Sequence, residues 1–161
     1  MSDKSLETIS FILFSIDGVE YAIDSVVVEQ VIQIVEITPL PNEIKKIAGV
    51  INFHGSIIPV LKLKYILFSK EQSIDLNDKF IIIKHNNQLA ALWVNEINTV
   101  FESYKKDESF AKEIYEELHF IEGVIPYKDR MLPVLDIDKL FDNDMLVGLK
   151  KHIEENGLNY E

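Results

Sequence analysis

The sequence predicts an all-β protein built from two small closed barrels, and two observations support that fold class. The first is an internal repeat, in which Ile47–Leu67 aligns with Ile121–Phe141 at an offset of 74 residues. The second is a series of short runs of β-branched and aromatic residues with turn-forming residues between them. Such runs at regular spacing are typical of small barrels. Six identities support the repeat: Gly49, Val50, Ile51, Pro59, Val60 and Leu61 fall on Gly123, Val124, Ile125, Pro133, Val134 and Leu135.

Each half begins with the same predicted hairpin. Phe11–Phe14 matches Phe80–Ile83 at an offset of 69 residues. Asp-Gly follows the first run and Asn-Asn follows the second, and these residues tolerate the positive φ that a two-residue hairpin turn requires. The sequence therefore predicts a return strand in each half, over Val19–Ile23 and Leu89–Val94.

The remainder of each half adds strands and little helix. Val26–Val35 and Ile57–Leu63 are predicted strands with counterparts in the second half. The proline of each Pro-Val-Leu segment cannot donate to a ladder, so we expect it at a strand end or edge. Apolar residues at a four-residue period predict a short C-terminal helix over 143–156. The expected organisation is one domain with two barrel subdomains, approximately 10–75 and 76–142, before that helix.

The charge balance argues against nucleic acid and membrane surfaces as partners. The 161 residues include 27 acidic and 16 basic side chains, and the formal net charge of -11 repels phosphate groups and anionic lipids. The absence of cysteine excludes disulfides and thiolate metal sites. The N-terminal residues lack the features of a signal peptide, and no apolar run approaches the ~20 residues of a membrane span. We therefore expect a cytoplasmic protein.

The pattern of histidines and carboxylates does not indicate catalysis. None of the four histidines stands three or four residues from another, and no His-Glu-x-x-His, glycine-rich phosphate loop or Gly-x-Ser-x-Gly motif occurs. His54 differs from the other three because it occupies a turn between two apolar strands, and such loops often carry function. We expect no enzymatic activity, no cofactor and no metal site, with a hydrolase that uses His54 as the remaining catalytic alternative.

Recognition of another molecule is then the expected work of the protein, and Val26–Val31 is the candidate surface. Consecutive valines leave no polar alternation, so a strand here would present apolar side chains on both faces. One interpretation is a contact surface for a partner. The other is a strand buried on both faces between the two barrels.

Several segments together resemble the CheW family of bacterial chemotaxis coupling proteins. Gly18–Asp24 is similar to the family's segment that ends in Tyr-Gly-Ile-Asp. Pro39–Pro41 and Ile47–Gly55 are similar to its proline followed by Ile-x-Gly-Val-x-Asn-Leu-Arg-Gly. Ile57–Leu61 resembles the strand that follows, and the resemblance extends over residues 11–141.

The resemblance implies two intertwined five-stranded SH3-like barrels and a protein without activity of its own. Such a protein links the cytoplasmic tip of chemoreceptors to the regulatory domain of a CheA-type histidine kinase. It implies a cytoplasmic location with recruitment to membrane receptor arrays, and no direct insertion into the membrane. A receptor helix is expected in the apolar groove between the barrels. A tandem SH3-like module that binds a ligand or nucleic acid is the alternative, which the net charge disfavours.

The resemblance also implies a partner-binding surface, made of Val28, Glu29, Gln30, Asn52, His54 and Gly55. Three of these positions depart from the family, which usually has Val-Gln-Glu where this chain has Val28-Glu29-Gln30 and an arginine in place of His54. The family's glutamate and arginine lie close together, so we expect Gln30 and His54 to meet as a compensating pair. Independent change at two exposed positions is the alternative.

Overall fold

The structure is a computed structural model that describes residues 7–40, 45–104 and 120–141, and in these ranges it confirms the all-β prediction. The predicted hairpin strands form in both halves, and the predicted C-terminal helix over 143–156 lies outside the described residues. The strands are β1 Thr8–Ile16, β2 Val19–Asp24, β3 Val28–Gln33, β4 Thr38–Pro39, β5 Ile47–Phe53, β6 Ser56–Leu61, β7 Lys79–His85, β8 Gln88–Val94, β9 Glu96–Tyr104, β10 Ile121–Tyr127 and β11 Arg130–Leu135. The helices are a 3₁₀ turn at Ser25–Val27, α1 at Leu63–Phe68 and α2 at Ile137–Leu140.

The strands form two sheets, and each sheet contains strands from both halves of the chain. The first sheet has the order β10-β11-β2-β1-β9, and the second has the order β3-β7-β8-β6-β5-β4. We call β1 to α1 the first copy and β7 to α2 the second copy. Each copy places its first hairpin in the sheet of the other copy. The boundary near residue 75 therefore separates the sequence repeats, while the hydrogen-bonded sheets cross it.

The repeat is reproduced in the pairing register. Gly49 pairs with Val60 in the β5–β6 hairpin, and Gly123 pairs with Val134 in the β10–β11 hairpin, each after a bulge at the same position. The predicted Asp-Gly and Asn-Asn turns have positive φ at both residues, as the two-residue turn requires. Shared apolar patterns thus give both copies the same hairpins.

Buried side chains form three clusters, which follow from the alternation of each strand. We call the barrels formed by the first and second sheets the first and second barrels. On β1, Phe11 and Leu13 face the core of the first barrel, while Ile12 and Phe14 face a core between the two sheets. The side chains of the second sheet also divide between two faces. One face forms a separate core inside the second barrel, and the other joins the core between the sheets. The sheets of both barrels are therefore buried on two faces, which explains their nearly continuous apolar sequence.

Contacts between the edge strands β9 and β10 close the first barrel along a line that we call the first seam. There the Ser103 hydroxyl donates to the Pro126 carbonyl at 2.7 Å. The rings of Phe101 and Tyr127 also meet there, with centroids 4.5 Å apart. We call the repeat-equivalent place in the second sheet the second seam; it includes Ile32 on β3 and Phe53 on β5, and both side chains pack against the second-barrel core.

The predicted strand over Val26–Val35 is wrong at its start. Asp24 Oδ1 accepts a hydrogen bond from Val26 N at 3.0 Å, and the chain makes the 3₁₀ turn Ser25–Val27 before β3 begins. An aspartate that captures a backbone N–H two residues ahead competes with strand pairing. Local side-chain chemistry therefore overrides the β preference of the valines.

The predicted strand over Ile57–Leu63 is too long, because β6 ends at Leu61 and α1 begins at Leu63. Leu63, Ile66 and Leu67 recur at helical spacing and pack against the inter-sheet core, so packing decides for the helix. The prolines of Pro-Val-Leu lie inside β6 and β11 rather than at strand ends. β6 pairs in parallel with β8, and β11 with β2, only through residues that follow the proline. The parallel neighbour therefore does not need the N–H that proline lacks.

Candidate partner-binding site

The start of β3 holds three of the candidate residues in different environments. Val28 is half-buried and packs against the inter-sheet core, while Glu29 and Gln30 are exposed. Val28 pairs with Ile83 and Gln30 with Ile82, so Glu29 is the extra residue of a bulge. A bulge re-aims side chains and disrupts further pairing. Glu29 and Gln30 are therefore presented to solvent at the edge of the second sheet.

The valines before β3 divide between the two interpretations offered by the sequence. Val26 is 81 % exposed. Val27 and Val28 instead pack, half-buried, against the inter-sheet core. The segment is thus neither a uniform contact surface nor a strand buried on both faces. A charge at Val28 would disturb the core, whereas changes at Glu29 and Gln30 act on the surface alone.

The β5–β6 turn holds the other three candidates in a fixed geometry. His54 and Gly55 have φ of 51° and 86°, which is the positive-φ pair of a tight hairpin turn. Asn52 Oδ1 accepts a hydrogen bond from Gly55 N at 2.9 Å and so ties the strand end to the turn. The His54 ring lies edge-on to the Phe53 ring, with centroids 4.3 Å apart. Asn52 thus has a structural task that the sequence did not indicate.

The two groups of candidates lie toward the same end of the second sheet. β6 and β8 run parallel, so the β5–β6 turn and the β7–β8 turn lie at the same end of the sheet. The start of β3 pairs with the last residues of β7, just before the β7–β8 turn, so it lies toward that end as well. Ile32 on β3 and Phe53 on β5 pack against the same core. Within residues 7–40 and 45–104, however, no hydrogen bond joins Gln30 to His54. Their meeting as a pair stays a prediction.

Phe53 is the residue of this surface that sequence reasoning missed. It fixes His54 through the ring contact and anchors the turn on the second-barrel core. The repeat carried a signal for it, because Tyr127 occupies the same place before the turn of the second copy. An aromatic residue at both positions indicates a shared packing role at the two seams.

The equivalent turn of the second copy carries different chemistry. The Arg130 guanidinium donates to both carboxylate oxygens of Glu20, at 2.8 and 3.0 Å. These hydrogen bonds raise the pKa of Arg130 above its usual value. Lys128, exposed and 5.3 Å from the centroid of the Tyr127 ring, stands where the first copy has His54. The two turns differ in backbone as well as in charge, because φ is positive at both His54 and Gly55 but, in the second copy, at Lys128 and not at Asp129.

Across residues 7–40, 45–104 and 120–141, no group of three or more His, Cys, Asp or Glu side chains is placed to hold a metal ion. In the same part of the chain, no helix is long and apolar enough to cross a membrane.

Two sheets that exchange hairpins, with an exposed bulged strand and a fixed turn, define a tandem-barrel protein. The chain belongs to the CheW-like domain family, which matches residues 10–145. It is 27 % identical over 135 residues to the chemotaxis protein CheW of Bacillus subtilis, covering 83 % of this chain and 86 % of that protein. It is 20 % identical over 139 residues to the chemotaxis protein CheW of Helicobacter pylori, covering 86 % and 84 %.

The fold also matches a solved member of the family. The scaffolding protein TtCheW from Thermoanaerobacter tengcongensis is similar with a TM-score of 0.68 and 24 % sequence identity, over 88 % of this chain and 93 % of that chain. The resemblance inferred from sequence motifs is therefore confirmed at the level of family and fold. The chain is a member of the CheW-like domain family with the tandem-barrel fold.

Proposed function

We propose that this protein is an adaptor that couples chemoreceptors to a CheA-type histidine kinase in the cytoplasm, at membrane receptor arrays. The regulatory domain of the kinase binds at the second seam, on Val28–Gln30 together with Asn52, His54 and Gly55. The receptor's cytoplasmic tip binds in the groove between the sheets. The observation that carries the proposal is the exposed, bulged start of β3 at the same sheet end as the fixed β5–β6 turn.

Edge geometry supports a protein partner at the second seam. β3 pairs with β7 on one side and is the last strand of its sheet on the other. An uncovered edge strand is a template for association, and proteins usually protect it. Here its first residues carry one charge, at Glu29, beside the exposed apolar side chain of Val31. A partner that covers this edge gains apolar contact and one charge contact.

The test of the kinase surface compares the two copies within one molecule. Glu29→Lys reverses a charge and His54→Glu introduces one at exposed residues of the second seam, and we expect each to weaken binding of the kinase regulatory domain about tenfold. The matched controls are Asn98→Lys and Lys128→Glu, which stand at the repeat-equivalent positions of the first barrel. Isothermal calorimetry measures each affinity.

Equal weakening by site and control variants would mean that long-range charge, rather than the second seam, governs binding. Unchanged affinity in all four variants would place the kinase elsewhere on the molecule. Val28→Asp is a poor test, because its half-buried position couples binding to folding. Melting curves that match the parent protein confirm that the four variants are folded.

The rim of the inter-sheet core supports a receptor helix as the second partner. Half-buried apolar side chains pack along this rim, including Val27, Ile57 and Ile66. An amphipathic helix fits such a rim through anchors at i, i+3 and i+4. Calorimetry with a receptor-tip fragment is expected to show a negative heat-capacity change and modest salt dependence. A steep loss of affinity with added salt would indicate charge-driven binding outside the groove.

A further inference from the structure

The helices α1 and α2 occupy repeat-equivalent places but begin with different caps. α2 is capped by its own Asp136, whose Oδ1 accepts a hydrogen bond from Lys139 N at 3.3 Å. At the equivalent N-cap position of α1 stands Lys62. A lysine side chain has donors but no acceptor, so it cannot satisfy the free N–H groups of the first helical turn. An acceptor for the first turn of α1 therefore has to come from elsewhere.

Gln72 supplies that acceptor from the linker, by which we mean residues 69–78 between the two copies. Gln72 Oε1 accepts a hydrogen bond from Lys64 N, in the first turn of α1, at 3.3 Å. Gln72 Nε2 donates to the Trp93 carbonyl on β8 at 3.1 Å. The half-buried amide thus does for α1 what an N-cap side chain does for other helices, and it ties the first copy to a strand of the second copy.

A buried carboxylate fixes the other end of the linker. Asp78 is 2 % exposed, and its Oδ2 accepts hydrogen bonds from the Trp93 indole at 2.9 Å and from Asp75 N at 3.1 Å. Asp75 Oδ1 accepts from Asn77 N at 2.9 Å and so closes a turn within the linker. Gln72 and Asp78 thus both hold the linker against Trp93, and this arrangement preorganises the Gln72 amide for the helix.

α1 also forms part of the rim of the inter-sheet core, where we propose that the receptor helix binds. Leu63 is buried in that core, and Ile66, Leu67 and Phe68 pack against it half-buried. A helix of six residues is too short to be stable alone, so its position depends on its packing and its cap. Withdrawal of the Gln72 amide would therefore reach the rim through the first turn of α1.

We infer that Gln72 is a positioning residue of the receptor groove, because it caps α1 from the linker and so holds the rim in its binding conformation. This inference rests on the proposed receptor site and adds the linker to it. Loss of the cap opens the first turn of α1, and the receptor then binds only the fraction of molecules in which the turn is closed. The proposed kinase surface at the second seam does not include α1, so its affinity stays unchanged.

Gln72→Met tests the cap, because it removes both hydrogen bonds and keeps the length of the side chain. Ser73→Ala, at an exposed residue of the same linker, is the control. In Gln72→Met we expect amide exchange at Lys64, followed by NMR, to become about fivefold faster. Calorimetry should show that the receptor-tip fragment binds about threefold more weakly while the kinase regulatory domain binds as it does to the parent protein. If both affinities fall together, the variant acts on general stability and the inference is overturned.

A cap placed on α1 itself provides the second test. Lys62→Ser puts a hydroxyl acceptor at the N-cap, whereas Lys62→Ala removes the same charge and supplies no acceptor. Combined with Gln72→Met, Lys62→Ser should restore receptor affinity and Lys62→Ala should not. Equal results for the two double variants would contradict the inference, as would unchanged exchange at Lys64 in Gln72→Met. Failure of the parent protein to bind the receptor fragment would refute the proposed receptor site, and exchange at Lys64 would then decide whether Gln72 caps α1.

Discussion

The two barrel seams are equivalent by the repeat, but their residues offer different chemistry. At the first seam Ser103 donates to the Pro126 carbonyl, whereas the second seam has Ile34 and Asn52 at those positions. Isoleucine has no polar hydrogen to donate, and Asn52 directs its side-chain oxygen to its own turn. The first barrel is therefore joined across its seam by a hydrogen bond that the second barrel cannot form.

This difference shows which parts of a duplicated fold are free to change. Both copies keep the bulge that begins the seam strand, at Glu29 in β3 and at Asn98 in β9. They also keep apolar pairs inside each barrel, while the exposed charges around the two seams differ. Burial constrains the interior of both copies alike, and the exposed surface of the second seam, where we propose that the partner binds, is free to differ.

The largest expected effect tests whether the two barrel interiors are equivalent. Ile51 and Ile125 occupy repeat-equivalent sites and are 2 % and 0 % exposed. Ile51→Ala and Ile125→Ala should each lower the free energy of unfolding by about 2–5 kcal/mol, because each leaves a cavity in a packed core. Urea denaturation measures both values. A difference of more than about 2 kcal/mol between them would show that one barrel relaxes around the cavity and the other does not.

The next largest loss of stability is expected at the short strand β4, which pairs with β5 in the second sheet. Among the described residues, the first sheet has no equivalent strand. Gly49 has φ of 153°, and a Cβ there would overlap the Thr38 carbonyl oxygen and approach Ile37. Gly49→Ala should therefore displace β4 and cost about 2 kcal/mol, a value limited because β4 has only two residues. Gly55→Ala is the control, since its Cβ meets nothing within 4 Å and only its positive φ opposes the change.

Thermal melting compares the two glycine variants directly. Gly55→Ala should cost about 1 kcal/mol, from the backbone conformation alone. A Gly49→Ala variant as stable as Gly55→Ala would mean that β4 moves without loss of stability. In that case β4 contributes little to the closure of the second barrel.

The sequence predicted the elements whose signals are local. The hairpins β1–β2 and β7–β8 follow from apolar runs around Asp17-Gly18 and Asn86-Asn87, and the repeat predicted two similar halves. It could not predict the exchange of hairpins, because alternation assigns a strand to a buried face but does not say in which sheet. The 3₁₀ turn after Asp24 was missed since a single hydrogen bond there outweighs two valines of high β propensity.

The candidate site was predicted mainly by resemblance, and physical detail had to come from the structure. The motif placed Asn52, His54 and Gly55 together, and the turn hydrogen bond explains why they form a unit. It did not distinguish half-buried Val28 from exposed Glu29, because the bulge that separates their environments depends on pairing with β7. The hydrogen bond between Asn95 and Asp17 was also invisible in the sequence, since residues 78 positions apart meet only after the sheets pack.

The smallest effect tests the seam hydrogen bond itself. Ser103 is 6 % exposed, and Ser103→Ala removes its 2.7 Å bond to the Pro126 carbonyl, so we expect a loss of about 1 kcal/mol in the free energy of unfolding. Ser56→Ala removes an exposed hydroxyl and should change stability by less than about 0.5 kcal/mol. Amide exchange adds the decisive observation, because weakening the seam should speed exchange in β9 and β10 while β3 and β5 keep their rates. If exchange rises equally at both seams, the hydrogen bond stabilises the whole fold and not the first seam, and the proposed division of roles between the seams loses its physical basis.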